Sequence, residues 1–263
     1  MKIKTNGVML NAEVEGREGA PWLTFSNSLA TDLTMWDAQA KALAGRYRIL
    51  RYDKRGHGKS DAPKGPYDLP MLVKDVIGLW DHFCIKRSHF VGLSIGGMTA
   101  LGLGIEHADR LISIVPCDCR ADSPAEFRDT WPPRIKIAEG KEGTAGLVPM
   151  TLERWFTAET RKAHPERMEY MTRLISNTTV AGYVGCAHAL ENLPYLPRVG
   201  EIKVPTLFVA GTTDVMVEPT RDLHKRVPGS NFVEIGPAGH LSNLDQPDLF
   251  TAVLKAFLAR HRA

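Results

Sequence analysis

The sequence is poor in cysteine, and its cysteines lack the spacing of metal sites or redox motifs. Only 4 of the 263 residues are cysteine, at positions Cys84, Cys117, Cys119 and Cys186. None of them forms a Cys-x-x-Cys pair, and no His/Cys cluster with zinc-like spacing accompanies them. We therefore expect reduced thiols, no metal site and no other cofactor.

Long hydrophobic runs and an excess of one charge are also absent. The longest apolar run without charge spans residues 90–105 and is shorter than the roughly 18–20 residues of a membrane-spanning helix. The 33 basic and 30 acidic residues give a net charge of +3 and form no basic block, whereas nucleic-acid binding needs clustered Lys and Arg. The first residues lack the apolar stretch of a secretory signal. These features predict a cytoplasmic protein that binds neither membrane nor nucleic acid.

What the chain does have is a serine between glycines, in the sequence Gly-Leu-Ser-Ile-Gly at residues 92–96. A short apolar run precedes it, as in a buried strand, and a run rich in Ala, Leu and Met follows, as in a buried helix. A nucleophile on a sharp strand-to-helix turn requires neighbours without a Cβ two places before and after it. The pattern thus makes Ser94 a candidate nucleophile; the plainer interpretation is a glycine-rich turn with an incidental serine.

Around this motif, predicted strands alternate with predicted helices. The strands cover residues 8–15, 22–25, 47–52, 90–93, 111–116, 204–210 and 231–235, and the helices cover residues 36–43, 70–83, 95–105, 220–226 and 246–262. Such alternation is typical of an α/β fold with a mostly parallel sheet that helices cover on both faces.

The alternation stops between residues 120 and 196. This stretch contains no convincing strand, and it carries helical patterns such as residues 138–150 and 167–175. We predict that residues 1–119 and 197–263 form the core, and that residues 120–196 form an inserted helical cap. Its position at the carboxyl edge of the sheet is where ligands enter open α/β sheets.

A serine nucleophile needs a base and an acid, and both can come from later strand ends. His240 follows the last predicted strand in a glycine-containing loop, and Asp214 follows the strand at residues 204–210. The resulting chain order is Ser, Asp, His. Asp118, after the strand at residues 111–116, is the alternative carboxylate. The oxyanion of the intermediate would be held by the backbone N–H groups of Ile95 and of Leu29 in the loop after the second strand.

These residues resemble the α/β-hydrolases with a helical cap, and more closely the 3-oxoadipate enol-lactonases. The resemblance covers nearly the whole chain. It rests on Ser-Asn-Ser-Leu at residues 26–29 with Asp32 and Trp36, Arg-Tyr-Asp-x-Arg-Gly-His-Gly-x-Ser at 51–60, Ala-Pro-Lys-Gly-Pro-Tyr at 62–67, Gly-Leu-Ser-x-Gly-Gly at 92–97, Arg-Trp-Phe-Thr-Ala at 154–158, Gly-Tyr at 182–183 with Cys186, and His-x-Ser-Asn at 240–243.

The resemblance implies a serine hydrolase that opens 3-oxoadipate enol-lactone in the degradation of aromatic compounds. The carboxylate of such a lactone would need a cation from the cap, for which the candidates are Arg134, beside Trp131, and Arg154, beside Trp155. Two positions depart from the family. Asp118 would add a carboxylate that repels an anionic lactone from the pocket, and Lys54 replaces a smaller polar residue.

Other functions fit the same motifs. A general carboxylesterase or a C–C bond hydrolase can use the same three side chains, and a non-catalytic ligand receptor can share the fold. In each case the expected partner is a small molecule, an ester or lactone for the hydrolases. The oligomeric state is left open.

Overall fold

The structure, a computed structural model, describes residues 1–261. Arg262, which the sequence places at the end of the last predicted helix, and Ala263 lie outside the described residues. Eight strands form one sheet in the order β1-β2-β4-β3-β5-β6-β7-β8. The strands are β1 (Lys2–Thr5), β2 (Val8–Gly16), β3 (Trp22–Ser26), β4 (Arg48–Tyr52), β5 (Ser88–Leu93), β6 (Leu111–Cys117), β7 (Leu207–Gly211) and β8 (Asn231–Ile235).

The sheet is mostly parallel, as the alternating pattern predicts. β3 to β8 all pair in parallel, while β2 pairs antiparallel with both β1 and β4. The sequence pattern missed β1. β5 and β6 are buried at every position, which explains why they read as continuous apolar runs rather than alternating ones. The parallel strands end at one edge of the sheet, and that edge carries the site described below.

Helices cover both faces of the sheet and fill the long connection between β6 and β7. Those of the core are α1 (Asp37–Leu43), α2 (Leu69–His82), α3 (Ile95–Glu106), α10 (Val217–Arg226), α11 (Ser242–Asp245) and α12 (Pro247–Arg260). Those between β6 and β7 are α4 (Ala125–Arg128), α5 (Trp131–Ala138), α6 (Val148–Trp155), α7 (Ala158–Ala163), α8 (Pro165–Asn177) and α9 (Val180–Glu191).

One prediction for this connection is wrong. The sequence pattern predicts a helix over residues 138–150, but α5 ends at Ala138, a 3-10 turn covers Gly143–Leu147, and α6 begins at Val148. Gly143 adopts a left-handed backbone with φ of 60°, which an α-helix does not accommodate. The predicted helix at residues 167–175 lies inside α8.

Helix α9 contacts the core through the backbone atoms of a glycine, with no side chain at the point of contact. A Cβ on Gly182 would lie 2.0 Å from the carbonyl oxygen of Gly56, in the turn that follows β4. The hydroxyl of Thr179, at the start of α9, donates a hydrogen bond to the same carbonyl at 2.9 Å. Because no side chain fits between them, the glycine pair sets the distance of α9 from the core.

Candidate active site

Ser94 occupies the sharp joint between β5 and α3. Its backbone is left-handed, with φ of 59° and ψ of −119°, a conformation that costs energy for a residue with a Cβ. Its N–H donates to the carbonyl of Cys117 on the neighbouring strand at 2.8 Å. This strain is characteristic of a serine held at a strand-to-helix turn with its hydroxyl above the sheet edge.

The two flanking glycines make the joint possible. A Cβ on Gly92 would lie 2.1 Å from the carbonyl oxygen of Gly96, and a Cβ on Gly96 would lie 2.3 Å from the carbonyl oxygen of Ser26. Both obstacles are backbone atoms, which cannot rotate away. The turn therefore excludes any side chain at either position, as the motif predicts.

His240 links Ser94 to Asp214. Its Nε2 lies 3.0 Å from the Ser94 hydroxyl oxygen, and its Nδ1 lies 2.7 Å from a carboxylate oxygen of Asp214. All three residues are buried. A carboxylate accepts hydrogen bonds only, so Nδ1 carries the proton and Nε2 is free to accept one from Ser94. Burial lowers the pKa of His240, with the charge of Asp214 opposing it, which favours the neutral ring.

The loop that carries His240 is fixed from two sides. Asp245, in α11, accepts a hydrogen bond from the Gly239 N–H at 2.7 Å. A Cβ on Gly239 would lie 2.6 Å from the carbonyl oxygen of Trp155, so the loop passes directly beneath α6. His240 is thus held between the sheet edge and the helices that follow β6.

Asp118 does not contact His240, and it does not line the cavity beside Ser94. Its carboxyl is fully buried and accepts from the Gly211 N–H at 2.7 Å and from the Ser242 hydroxyl at 2.6 Å. Burial and the charge of Asp214 raise its pKa well above the usual range. The alternative in which Asp118 orients the histidine, and the expected repulsion of an anionic lactone, are therefore both wrong.

Two backbone N–H groups near Ser94 lack an acceptor within residues 1–261. Ile95 is the first residue of α3, where the N–H has no partner within the helix. Leu29, in the loop of residues 27–32 (the β3 loop), donates to no described group. The helix dipole of α3 makes its N-terminus favourable for negative charge. Both groups belong to the sheet edge that carries Ser94.

The β3 loop is held by two buried side chains that sequence reasoning did not assign. Lys54 donates to the carbonyls of Asn27 and Ser28, each at 2.8 Å, and burial lowers its pKa to about 8. His57 accepts from the Ala30 N–H at 3.0 Å through Nε2. Both residues lie in a polar turn, and nothing in the sequence indicates which backbone groups their side chains bind.

A cavity of about 740 Å³, including the space at its mouth, opens above Ser94 and His240. The residues predicted to lie near the substrate all line it: Leu29, Trp131, Arg134, Arg154 and Trp155. The pattern missed the further apolar and aromatic lining residues Met98, Phe127, Met150, Tyr183, Leu190 and Met216. Tyr183 carries part of the family resemblance at residues 182–183, but nothing in the sequence assigned it to the cavity.

The cavity holds positive charge without a carboxylate to neutralise it. Arg134 lies over the ring of Trp131, with 5.0 Å from its guanidinium carbon to the ring centroid. Neither Arg134 nor the half-buried Arg154 forms an ion pair or a hydrogen bond with any residue from 1 to 261. Burial lowers the pKa of Arg154, and the Arg134 charge adds to this effect against that of Asp214. Both guanidinium groups remain charged, so the cavity suits an anion.

Other kinds of site find no support in the described part of the chain. Residues 1–261 contain no group of three or more metal-ligating side chains. No helix among them is both long and apolar enough to cross a membrane.

Comparison with known proteins identifies the class. The family model described as "Alpha/beta hydrolase family" matches residues 19–253. The chain belongs to this family of enzymes, and the sheet order, the sharp turn at Ser94 and the helices between β6 and β7 are in keeping with it. The predicted α/β-hydrolase fold is confirmed.

Individual relatives carry more specific names than the family does. The chain is 35% identical to the 3-oxoadipate enol-lactonase 1 of Acinetobacter baylyi, over 96% of this chain and 94% of the relative. It is similar to the crystal structure of the enol-lactonase from Burkholderia xenovorans, with a TM-score of 0.95, 37% identity and coverage of 98% and 100%. A thermophilic esterase from Thermogutta terrifontis is also similar, with a TM-score of 0.92, 26% identity and coverage of 100% for both chains.

Proposed function

We propose that this protein is a serine hydrolase that opens a small anionic lactone, with 3-oxoadipate enol-lactone as its substrate. The observation that carries the proposal is the hydrogen-bonded series Ser94–His240–Asp214 at the base of a cavity that contains two unpaired arginines. The similarity to two enol-lactonases supports the choice of substrate.

In the proposed mechanism, His240 takes the proton of Ser94 as the hydroxyl attacks the lactone carbonyl. Asp214 keeps the imidazole in the required tautomer and stabilises its positive charge. The N–H groups of Leu29 and Ile95 hold the oxyanion of the tetrahedral intermediate. The intermediate collapses as the protonated His240 gives its proton to the ring oxygen, which leaves as an enol and opens the ring; the enol then converts to the 3-oxo acid. The neutral His240 next takes a proton from water as the water attacks the acyl group, and it returns that proton to the Ser94 oxygen as the acid is released.

The charge of the cavity supports an anionic substrate over a neutral ester. Arg134 and Arg154 both line the cavity and repel each other, and an anion bound to both relieves that repulsion. A guanidinium binds a planar carboxylate through two parallel hydrogen bonds. Trp131 and Trp155 supply flat apolar walls for the ring. This combination suits a small ring that bears a carboxylate.

The reaction is tested with the Ser94→Ala variant and a phosphonate probe. We expect S94A to lose all measurable turnover while its unfolding temperature stays near that of the wild type, and the probe to label wild-type Ser94. An active S94A would contradict the mechanism, and a folded wild-type protein that the probe does not label would be a receptor. The acid limb of kcat/KM is expected below pH 6.5, since burial lowers the pKa of His240.

The substrate is tested by comparing 3-oxoadipate enol-lactone with p-nitrophenyl acetate and a dienoate. We expect Arg154→Gln to raise KM for the lactone about tenfold to a hundredfold, because a charge-assisted hydrogen bond contributes about 1.5–3 kcal/mol. Its KM for the uncharged acetate should not change. Arg128→Gln, at an exposed position of α4, is the matched control. Equal kcat/KM for lactone and acetate would indicate a general carboxylesterase, and preference for the dienoate a C–C bond hydrolase.

Residues 120–196 act in this proposal as the cap that closes the cavity. A cytoplasmic location and the absence of nucleic-acid partners stay predictions from the sequence.

A further inference from the structure

Asp118 joins the two loops that carry the other members of the site. One of its carboxyl oxygens accepts from the N–H of Gly211, three residues before Asp214, at 2.7 Å. The other accepts from the hydroxyl of Ser242, two residues after His240, at 2.6 Å. Asp118 is 0% exposed and sits on a left-handed backbone with φ of 49°. A strained, fully buried carboxyl therefore connects the loop of the acid to the loop of the base.

The carboxyl of Asp118 also interacts with that of Asp214, which together with burial raises the pKa of Asp118 well above its usual range. Asp214 uses Oδ2 to bind His240, while its Oδ1 is buried and has no hydrogen-bond partner among the described residues. A buried carboxylate oxygen without a donor is unfavourable. Two ionised carboxylates in contact within the protein interior are more unfavourable still. One proton between the two carboxyls removes both problems.

We propose that Asp118 is a positioning residue for the hydrolysis: it ties the loop of Asp214 to the loop of His240, and it donates its carboxyl proton to the free oxygen of Asp214. The inference rests on the proposed function, because it assigns Asp118 a role through Asp214 and His240. Asp118 touches neither the substrate cavity nor the reacting atoms.

The arrangement determines how much negative charge faces the imidazole. With Asp118 neutral, only Asp214 carries a full charge beside His240. The other titratable groups that act on this part of the site are the buried thiols of Cys117 and Cys119, whose pKa values burial raises, and the guanidinium groups of Arg154 and Arg134. Since the thiols also stay neutral, the positive charge that forms on His240 is balanced by one carboxylate.

The Asp118→Asn variant tests the protonation state. Asn has nearly the same shape and is a neutral donor: its Oδ1 can accept from the Gly211 N–H, and the Ser242 hydroxyl can rotate to accept from its Nδ2. We therefore expect D118N to retain kcat for p-nitrophenyl acetate within about threefold. The acid limb of its pH profile should coincide with that of the wild type. If Asp118 were ionised, removing its charge would lower the pKa of His240 and move this limb to lower pH. A downward movement of half a pH unit or more would overturn the proposal.

The Asp118→Ala and Ser242→Ala variants test the connection itself. We expect D118A to lower kcat at least tenfold with KM within twofold of the wild type, and S242A to lower kcat severalfold. The double variant should be no slower than D118A alone, because both changes break one connection. Multiplicative effects of the two substitutions, or wild-type kcat in D118A, would refute it. Ser230→Ala, on a loop away from the site, is the matched control.

The outcome is separable from that of the proposed function. p-Nitrophenyl acetate carries no carboxylate, so these rates do not depend on the arginines or on the identity of the lactone. Activity of the Ser94→Ala variant would remove the proposed mechanism whatever the Asp118 variants do. If D118A does not fold, as judged by circular dichroism, D118N and S242A still decide the question.

Discussion

Replacing His57 by Gln removes a buried titratable group from beneath the β3 loop. The ring is 0% exposed, its Nε2 accepts from the Ala30 N–H at 3.0 Å, and its Nδ1 donates to the carbonyl of Arg55 at 3.1 Å. Both ring nitrogens of His57 therefore already have hydrogen-bond partners when the ring is neutral. A proton on Nε2 would remove the acceptor for Ala30 and place a second positive charge near Lys54.

Burial, together with the charge of Lys54, lowers the pKa of His57 from 6.5 to about 3. Between these values the unfolded chain binds a proton that the folded protein does not, so the free energy of unfolding falls as the pH falls. The loss is about 1.4 kcal/mol for each pH unit. At pH 4.5, two units below the unfolded pKa, His57 alone should cost the wild type about 2.7 kcal/mol relative to neutral pH.

The assay is urea unfolding followed by tryptophan fluorescence between pH 7 and pH 4.5. At pH 7 we expect H57Q to be less stable by about 1–2 kcal/mol, the contribution of a rearranged hydrogen bond. Its stability should then fall by about 2.7 kcal/mol less than that of the wild type on acidification. His89, whose pKa burial lowers to about 4, titrates in both proteins and cancels. Equal pH dependence in wild type and H57Q would refute the reasoning; the exposed His82→Gln is the control.

Two further predictions concern the fixed contacts around the site. In a thermal unfolding assay, Gly182→Ala should destabilise the protein by about 3 kcal/mol, because its Cβ would lie 2.0 Å from the Gly56 carbonyl oxygen. The control Gly45→Ala, at an exposed position with nothing within 4 Å, should leave the stability unchanged. An equal effect of both substitutions would contradict the argument. Lys54→Met should lower kcat about tenfold to a hundredfold with little change in KM, because it removes the hydrogen bonds that hold the β3 loop. The control Lys59→Met, at an exposed position, should retain wild-type kinetics. Wild-type kcat in K54M would show that the loop does not need these hydrogen bonds.

The local sequence pattern was sufficient to predict the features of the fold and the site that depend on chain order and burial. The apolar runs of β5 and β6 predict strands, and in the structure both strands are buried at every position. The turns after β5, β7 and β8 carry Ser94, Asp214 and His240, and parallel strands bring these turns to one edge. The structure accordingly places the three side chains within hydrogen-bonding distance.

Features that depend on contacts between distant segments of the chain could not be predicted from the sequence. Lys54 and His57 lie in a polar turn, and only the fold brings the β3 loop within reach of their side chains. Asp118 follows a strand as Asp214 does; the loop position of Asp214 favours it as the partner of the histidine, but nothing local indicates that Asp118 joins two loops. The helix predicted at residues 138–150 failed because apolar periodicity continued across Gly143, whose left-handed backbone interrupts the helix.

The contact between Gly56 and Gly182 has a consequence for how substrate preference can change. Tyr183 follows Gly182 directly and lines the cavity, so one wall of the cavity is set by the distance between two backbones. Substitutions of lining side chains on α5 and α6 can alter the size and charge of the cavity while this backbone contact stays in place. The glycine pair thus fixes the position of α9. A change of substrate would then be accommodated by different side chains in the cavity rather than by a shift of this helix.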